Sequence, residues 1–203
     1  MIQKGLTVGL LEVNCYILGD EETKEAVVID PGGDEAAILD VLNHHKLQLK
    51  LIIDTHGHFD HVDANQPLKE ATGAKIAIHV ADAQMLDKPS SEAMFFTGNR
   101  LRLSQPDILL NENDILTFGP YRLKVLHTPG GISLLLEDHP YVYVGDTLFA
   151  GSIGRTDFPG GDYDTLINGV RTKIFPLGDN YTVYPGHGPV TTVAQERKYN
   201  PFF

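Results

Sequence analysis

Short runs of β-branched and large apolar residues, closed by Gly, Asp or Pro, recur along the 203-residue chain and are interrupted by a few stretches of helical periodicity. The runs predict strands at residues 2–8, 14–18, 26–30, 51–54, 75–78, 115–118, 121–126, 132–136, 141–144 and 182–184. Apolar positions at helical spacing predict helices at 34–45, 64–72, 81–86 and 163–174. Helices thus interrupt the strands twice, in two similar halves. This order favours an α/β fold, an αββα sandwich of two mixed β-sheets flanked by helices, over a single parallel sheet.

The stretch from 87 to 113 lacks such a pattern and contains Pro, Ser and Asn together with Met94, Phe95 and Phe96. It is too long for an ordinary connection, so it is either a loop on the substrate side or a loop that covers the core. No linker and no repeat of fixed period divides the chain. We therefore expect one domain over 1–203.

Charge and composition narrow the function classes. The formal net charge is −11, and no cluster of Lys and Arg offers a surface to a phosphate backbone, so we expect no nucleic-acid partner. No apolar run approaches the roughly 18 to 20 residues that span a bilayer, so we expect no membrane partner. The first 20 residues indicate two strands and not a signal peptide, and Cys15 is the only cysteine. These features predict a cytoplasmic protein without intrachain disulfides, and they do not indicate an oligomeric state.

One segment carries most of the chemistry: residues 55–61 have the sequence THGHFDH. If the chain is extended there, His56, His58 and Asp60 point to one side and His61 to another, so one short loop can feed two adjacent ions. Four potential ligands clustered after an apolar strand cost stability through desolvation and mutual repulsion unless a cation compensates. We therefore predict a metal site. Imidazole and carboxylate ligands without thiolates suit zinc, iron(II) or manganese.

Two later segments have a similar character. Asp146 follows a predicted strand and a Gly in GDTLFAG, where a carboxylate can point into a cleft, and His187 lies between two glycines in YPGHGP. Taken alone, Gly-Asp is commonly a turn and a Gly-flanked histidine is commonly a loop residue. They become candidate ligands only beside THGHFDH.

Together these segments resemble the metallo-β-lactamase superfamily, whose H-x-H-x-D-H signature corresponds to His56, His58, Asp60 and His61. Within that superfamily the chain is most similar to the glyoxalase II-like hydrolases, in the short bacterial form without the C-terminal helical domain. The likeness extends over nearly the whole chain. The segments that carry it, in family order, are NCYIL, VIDPGGD, THGHFDH, GDTLFAGSIGRTDFPGGD, YPGHGP and ERKYNPF.

The resemblance implies a site for two divalent metal ions, with zinc as the first expectation and iron or manganese as alternatives. In the family pattern one ion would be held by His56, His58 and a third histidine, the other by Asp60, His61 and His187, and Asp146 would bridge the two. Asp60 and Asp146 would then be the catalytic carboxylates. Asp30 would lie behind the ligands and orient a ligating imidazole.

The third histidine is where the chain departs from the family. The family carries a tandem HTPGHTPG-like stretch, whereas this chain has one copy in LHTPGGISLL, so His127 is the sole candidate. If the first copy is the missing one, His127 can occupy the ligand position. If the second is missing, His127 lies four residues upstream, up to roughly 13 to 14 Å away in an extended chain, and the ligand is lost. The alternative for His127 is an ordinary residue at a strand end.

The implied reaction is hydrolysis of a hydroxyacyl thioester such as S-lactoylglutathione through a metal-bound hydroxide, with a small glutathione-derived molecule as substrate. Arg155 is at the position where the family holds the substrate's carboxylate, which a guanidinium suits. As a surface residue paired with Asp157, it would have no such role. Three other functions stay open: a mononuclear-iron persulfide dioxygenase, which shares the GRTDF-like run; a superfamily RNase, which the net charge opposes; and a metal-binding member that is catalytically impaired at His127.

Overall fold

The structure is a computed structural model that describes residues 1–88, 94, 102–157 and 161–203. Phe95 and Phe96 of the stretch without a pattern lie outside the described residues. The chain forms two compact units, one of Met1–Leu110 with Thr117–Tyr121 and the other of Asn111–Leu116 with Arg122–Phe203. Among the described residues, no helix is both long and apolar enough to cross a membrane. The single domain over 1–203 stays a prediction.

The first unit is built on a six-stranded sheet with the order β1-β2-β3-β4-β5-β6. Its strands are β1 (Ile2–Val8), β2 (Val13–Gly19), β3 (Glu25–Ile29), β4 (Gln48–Asp54), β5 (Lys75–His79) and β6 (Ile108–Leu110). Its helices are α1 (Glu35–His45), α2 (Phe59–Val62) and α3 (Asn65–Thr72), with a 3-10 turn at Ala83–Met85. Strands β1 to β3 pair antiparallel and β3 to β6 parallel. One apolar core joins sheet and helices, with Ile38 and Leu68 buried in it.

The parallel part of this sheet determines where the THGHFDH segment lies. Strands β3 and β4 run side by side, so their carboxyl ends meet at the same edge. Asp30 follows β3, and its backbone N–H donates to the carbonyl of Ile53 in β4 at 3.1 Å. The residues that follow β4 therefore start next to Asp30.

A second sheet has the order β14-β13-β10-β9-β8-β7, and a separate two-stranded hairpin is formed by β11 and β12. The sheet strands are β7 (Ile115–Phe118), β8 (Tyr121–Thr128), β9 (Gly131–Leu136), β10 (Tyr141–Gly145), β13 (Thr182–Pro185) and β14 (Thr191–Thr192), and the hairpin strands are β11 (Leu148–Phe149) and β12 (Ser152–Ile153). Helix α4 (Tyr163–Gly169) continues into a π-helical turn at Val170–Ile174 and a 3-10 turn at Phe175–Leu177, and α5 (Val193–Tyr199) comes near the end. Strands β10 and β13 are parallel, with Gly145 opposite Pro185. Asp146 and the segment with His187 therefore leave the sheet at one edge.

The predicted strands all exist, with ends that differ by at most three residues. The errors lie where local patterns are weak. Strand β6 falls in the stretch that showed no pattern, and β14 and α5 follow what was expected to be the last strand. The helix predicted at 163–174 changes to π-helical geometry after Gly169, and the one at 81–86 is only a 3-10 turn.

Candidate metal centre

The THGHFDH segment changes conformation in the middle. His58 is still extended, with φ −66° and ψ 143°, and it is the N-cap of the short helix α2. The backbone N–H of His61 donates to the carbonyl of His58 at 3.0 Å, which closes the turn. The extended chain assumed from the alternation of His56, His58 and Asp60 is therefore wrong beyond His58, and Asp60 projects from a helical turn instead.

The segment nevertheless brings its four candidate ligand side chains together. The Nε2 atom of His56 lies 2.9 Å from Nδ1 of His58, and His61 Nε2 lies 3.7 Å from an Asp60 carboxylate oxygen. Ligand atoms of His56 and His61 are within 4.8 Å of each other, as are those of Asp60 and His61. His56, Asp60 and His61 are buried. The folded loop thus presents clustered imidazole and carboxylate donors away from bulk water.

Asp30 lies behind two of these histidines and is itself 2% exposed. Its carboxylate accepts hydrogen bonds from the backbone N–H of Thr55 at 2.7 Å and from the Thr55 hydroxyl at 2.7 Å. It also contacts Nδ1 of His61 at 3.0 Å. Because an ionised carboxylate only accepts, His61 carries its proton on Nδ1 and leaves Nε2 available to a metal.

The same carboxylate acts on His56 through Thr55. The Thr55 hydroxyl has one hydrogen, which it donates to Asp30, so it accepts from Nδ1 of His56 at 3.0 Å. The His56 proton then lies on Nδ1 and Nε2 is available. One buried aspartate therefore orients two ligand rings, as the resemblance implied for Asp30.

A glycine holds the Asp30 loop against the ligand loop, and sequence reasoning missed it. A Cβ atom on Gly32 would lie 1.6 Å from the backbone carbonyl oxygen of Asp60, which no side chain tolerates. The neighbouring carbonyl of Pro31 accepts a hydrogen bond from the backbone N–H of Ala64 at 2.9 Å. The segment VIDPGGD gave the signal, since its two glycines follow the aspartate directly.

Asp54, the last residue of β4, was also missed as a feature of the site. It is fully buried and accepts a hydrogen bond from the Asn65 side-chain amide at 2.8 Å. Burial raises the pKa of the Asp54 carboxyl well above its usual range, the charge of Asp30 raises it further, and the hydrogen bond from Asn65 opposes both. Asp54 supports the loop through its hydrogen bond with Asn65.

In the second unit, Asp146 and His187 lie at the adjacent ends of β10 and β13. The Gly186 N–H donates to the Gly145 carbonyl at 2.8 Å, which joins the two strand ends. His187 Nε2 is 3.9 Å from an Asp146 carboxylate oxygen, and both side chains are about one quarter exposed. The Phe149 ring contacts His187 edge-on at 6.3 Å between centroids. The structure thus brings these two predicted ligands together.

His127 has a different environment from the other predicted ligands. It lies in β8 opposite Ile132, and its side chain is exposed. Its backbone is held on both sides, since the N–H donates to the Glu112 carboxylate and the carbonyl accepts from Lys173 at 2.7 Å. The structure therefore gives His127 the surroundings of a residue near a strand end.

Arg155 forms the surface pair that was its alternative. Its guanidinium donates two hydrogen bonds to Asp157 at 2.8 and 2.9 Å, and both side chains are about two-thirds exposed. The hydrogen bond from Arg155 lowers the pKa of the Asp157 carboxyl. An exposed pair of this kind contributes little to stability, so the guanidinium can exchange partners at low cost.

The donor set fits divalent transition metals. Imidazole nitrogen and carboxylate oxygen are the donors that zinc, iron and manganese accept in proteins. The 2.9 Å between the His56 and His58 nitrogens is close to the roughly 3.3 Å that separates two ligands at about 2 Å on a tetrahedral ion. The proton positions of His56 and His61 leave a lone pair on the nitrogen that faces the cluster. The residues present therefore suit a metal.

Comparisons with known proteins agree with this chemistry. The family model described as "Metallo-beta-lactamase superfamily" matches residues 8–187. A relative from Haemophilus influenzae, hydroxyacylglutathione hydrolase GloC, is 37% identical, with 97% of this chain and 95% of that protein covered. The structure of the BLEG-1 B3 metallo-beta-lactamase is similar, with a TM-score of 0.92, 35% identity and 99% of both chains covered. The structure of TTHA1623 in a di-iron-bound form has a TM-score of 0.83 and 32% identity, with 98% of this chain and 100% of that one covered. The predicted fold of two mixed sheets with helices is confirmed.

Proposed function

The chain belongs to the metallo-β-lactamase superfamily, and from that premise we propose that it is a metal-dependent hydrolase of hydroxyacyl thioesters, with S-lactoylglutathione as the first substrate to test. The observation that carries the proposal is the Asp30 network, which fixes the proton on the rear nitrogen of both His56 and His61. Imidazoles oriented in this way serve as metal ligands. GloC, whose described substrate is a hydroxyacylglutathione, supports the choice of thioester.

We assign the ligands by the family pattern. His56 and His58 would hold one ion, Asp60, His61 and His187 the second, and Asp146 would bridge the two. The family pattern would make His127 a further ligand of the first ion, but its side chain is exposed in β8, and we leave it outside the assigned ligands. The di-iron form of TTHA1623 supports a two-ion site, and zinc, iron and manganese all suit these donors.

Bound divalent ions would supply a water whose pKa falls toward about 7 and would polarise the carbonyl of the substrate. The chain's own residues position the ligands and the substrate. Asp30 and Thr55 hold the rings of His56 and His61, and buried Asp60 adds negative charge beside them. Arg155 would leave Asp157 to pair with the carboxylate of the substrate. No protein nucleophile is required for this chemistry.

The direct experiment is thioester hydrolysis by the purified protein before and after removal of metal with a chelator. We expect turnover of S-lactoylglutathione that disappears with the metal and returns when zinc, manganese or iron(II) is added. Asp146→Asn should lower both metal retention and turnover, because the bridging carboxylate loses its charge. Full activity of the metal-free protein, or of Asp146→Asn, would contradict the proposal.

A persulfide dioxygenase is the second candidate, because the sequence GRTDF at 154–158 is similar to that branch. Oxygen uptake and sulfite formation from glutathione persulfide, at one iron per chain, would establish it in place of the hydrolase. A chromogenic β-lactam completes the panel, since the similar BLEG-1 structure is described as a B3 metallo-beta-lactamase. Metal binding without turnover of any of these substrates would identify an impaired member of the superfamily.

A further inference from the structure

The C-terminal segment ERKYNPF is part of the family resemblance, yet the proposed chemistry gives it no task. Two of its residues, Glu196 and Asn200, are polar and buried, with exposures of 1% and 4%. Burying a carboxylate costs several kcal/mol unless hydrogen bonds replace its water. A buried glutamate therefore indicates a specific structural role.

The Glu196 carboxylate accepts three hydrogen bonds in the second unit. The Thr191 hydroxyl donates to one of its oxygens at 2.6 Å. The backbone N–H of Gly151 and the side-chain amide of Asn200 donate to the other oxygen, each at 2.8 Å. The carboxylate is thus satisfied, and one of its partners is the backbone of the turn between β11 and β12.

Asn200 binds the residue that follows Gly151 along the chain, the first of β12. Its side-chain amide also donates to the backbone carbonyl of Ser152 at 2.9 Å. Glu196 and Asn200 are four residues apart, on α5 and at its C-cap, so they act from one side of the helix. Together they hold the backbone of Gly151 and Ser152. We call this pair the C-terminal clamp.

The hairpin that the clamp holds is short and begins two residues after Asp146. Strands β11 and β12 have two residues each, and a hairpin of that size is not stable by itself. After the hairpin the chain returns to its starting point, where the Gly154 N–H donates to the Thr147 carbonyl at 3.4 Å. A Cβ atom on Gly154 would lie 1.9 Å from the carbonyl oxygen of Asp146. The position of the hairpin therefore limits the backbone of Asp146.

We infer that Glu196 and Asn200 are positioning residues for Asp146: the C-terminal clamp anchors the β11–β12 hairpin, and the anchored hairpin fixes the carboxylate that is assigned to bridge the metal ions. The inference rests on the proposed function for its catalytic consequence. The expected effect of the clamp on metal affinity depends only on Asp146 being a metal ligand. Phe149, in the same hairpin, contacts His187, so displacement of the hairpin also affects a second ligand.

The test compares three clamp variants with a control on the same helix. Glu196→Leu removes all three acceptor contacts, Asn200→Ala removes the bond to Ser152, and Glu196→Gln keeps the shape and part of the hydrogen bonding. The control is Arg197→Ala, because Arg197 bonds to Asp179 at 2.6 Å and to the Phe175 carbonyl, which are not partners of the clamp. Zinc affinity is measured by competition with a chromogenic chelator, and folding by circular dichroism and thermal unfolding.

We expect Glu196→Leu to fold and to bind zinc about 10- to 100-fold more weakly than the parent chain, the range found when a supporting group behind a ligand is removed. Asn200→Ala should lose less zinc affinity than Glu196→Leu, and Glu196→Gln should keep most of the zinc affinity of the parent chain. The kcat of Glu196→Leu should fall by a similar factor with KM within about threefold, since the substrate contacts remain. Arg197→Ala should lower thermal stability with zinc affinity unchanged.

Parent-like zinc affinity in folded Glu196→Leu and Asn200→Ala would overturn the inference and leave the clamp a structural feature. If Glu196→Leu does not fold, the zinc affinities of Asn200→Ala and Glu196→Gln are compared with that of Arg197→Ala. Zinc affinities equal to that of Arg197→Ala would then overturn the inference. Failure of the proposed function has a different signature, since the parent chain would then bind zinc but not hydrolyse the thioester. The zinc affinities of the variants would still test the clamp.

Discussion

Two histidine-bearing segments of the molecule, residues 55–61 and 127–131, supplied candidate metal ligands from sequence, His127 with an ordinary strand-end residue as its alternative, and they differ in what surrounds the ring. His61 has no exposed surface, and Asp30 holds its Nδ1. His127 is exposed, its backbone N–H donates to the Glu112 carboxylate, and its carbonyl accepts from Lys173. A metal ligand requires an oriented ring as well as the right residue type. The first segment has buried rings oriented by a carboxylate, whereas His127 of the second lies at an exposed strand position.

The largest effect should come from His61→Ala. The substitution removes a buried side chain that is a proposed ligand and that also contacts Asp30. Loss of a group that supports a ligand lowers metal affinity or activity about 10- to 100-fold. We therefore expect His61→Ala to lose its metal and to lose more turnover than that. Metal content by elemental analysis and thioester turnover check this. A variant that retains parent-like metal content would remove His61 from the site.

Asp30→Asn should have the next largest effect. The side-chain amide would donate toward Thr55 and His61 where the carboxylate accepts, which moves the proton of both His56 and His61 onto Nε2. We expect metal affinity to fall about 10- to 100-fold, measured by chelator competition. Asp40→Asn, at an exposed carboxylate of α1, is the matched control and should leave the affinity unchanged. Equal affinities for the two variants would contradict the role given to Asp30.

The buried carboxyl of Asp54, just before the first segment, predicts a pH effect on the stability of the metal-free protein. The pKa of Asp54 is raised in the folded state, so the folded chain keeps a proton that the unfolded chain releases above about pH 4. The contribution of Asp54 to the free energy of unfolding is therefore fully present below about pH 4 and is lost as the pH rises. Asp54→Asn does not titrate and should gain stability relative to the parent chain from pH 4 upward, by up to about 1.4 kcal/mol per pH unit. Urea unfolding in a chelator at several pH values measures the difference, and a difference independent of pH would refute the assignment.

His127→Ala should have the smallest effect. An exposed strand residue whose backbone bonds persist after truncation loses little stability, and we expect metal content and turnover within about threefold of the parent chain. The same measurements as for His61→Ala apply. A loss as large as that of His61→Ala would show that the shortened HTPGG loop supplies a ligand after all.

Much of the fold could be predicted because it is encoded locally. Strand positions followed from apolar runs with clear stops, and helix α3 ends at Gly73, whose φ of 74° suits glycine. Strand β6 could not be found, because its three residues follow a long segment rich in polar residues and have no pattern of their own.

The candidate site was predictable in its ligands and, through the family resemblance, in Asp30. THGHFDH showed the donors, because four potential ligands at that spacing are rare without a metal. The supports of the site depend on contacts between residues far apart in sequence, such as Gly32 with Asp60 or Gly151 with Glu196, 45 positions away. A single sequence does not reveal such contacts, whereas the fold brings them together.

Titration of the metal-free protein with zinc, followed by S-lactoylglutathione turnover at each addition, tests the central claim most directly. The two-ion site predicts no turnover without metal and a rise that ends at two equivalents of zinc per chain. Turnover in the absence of metal would contradict the claim that this chain is a metal-dependent thioester hydrolase. The absence of turnover at every zinc or iron(II) loading would contradict it as well.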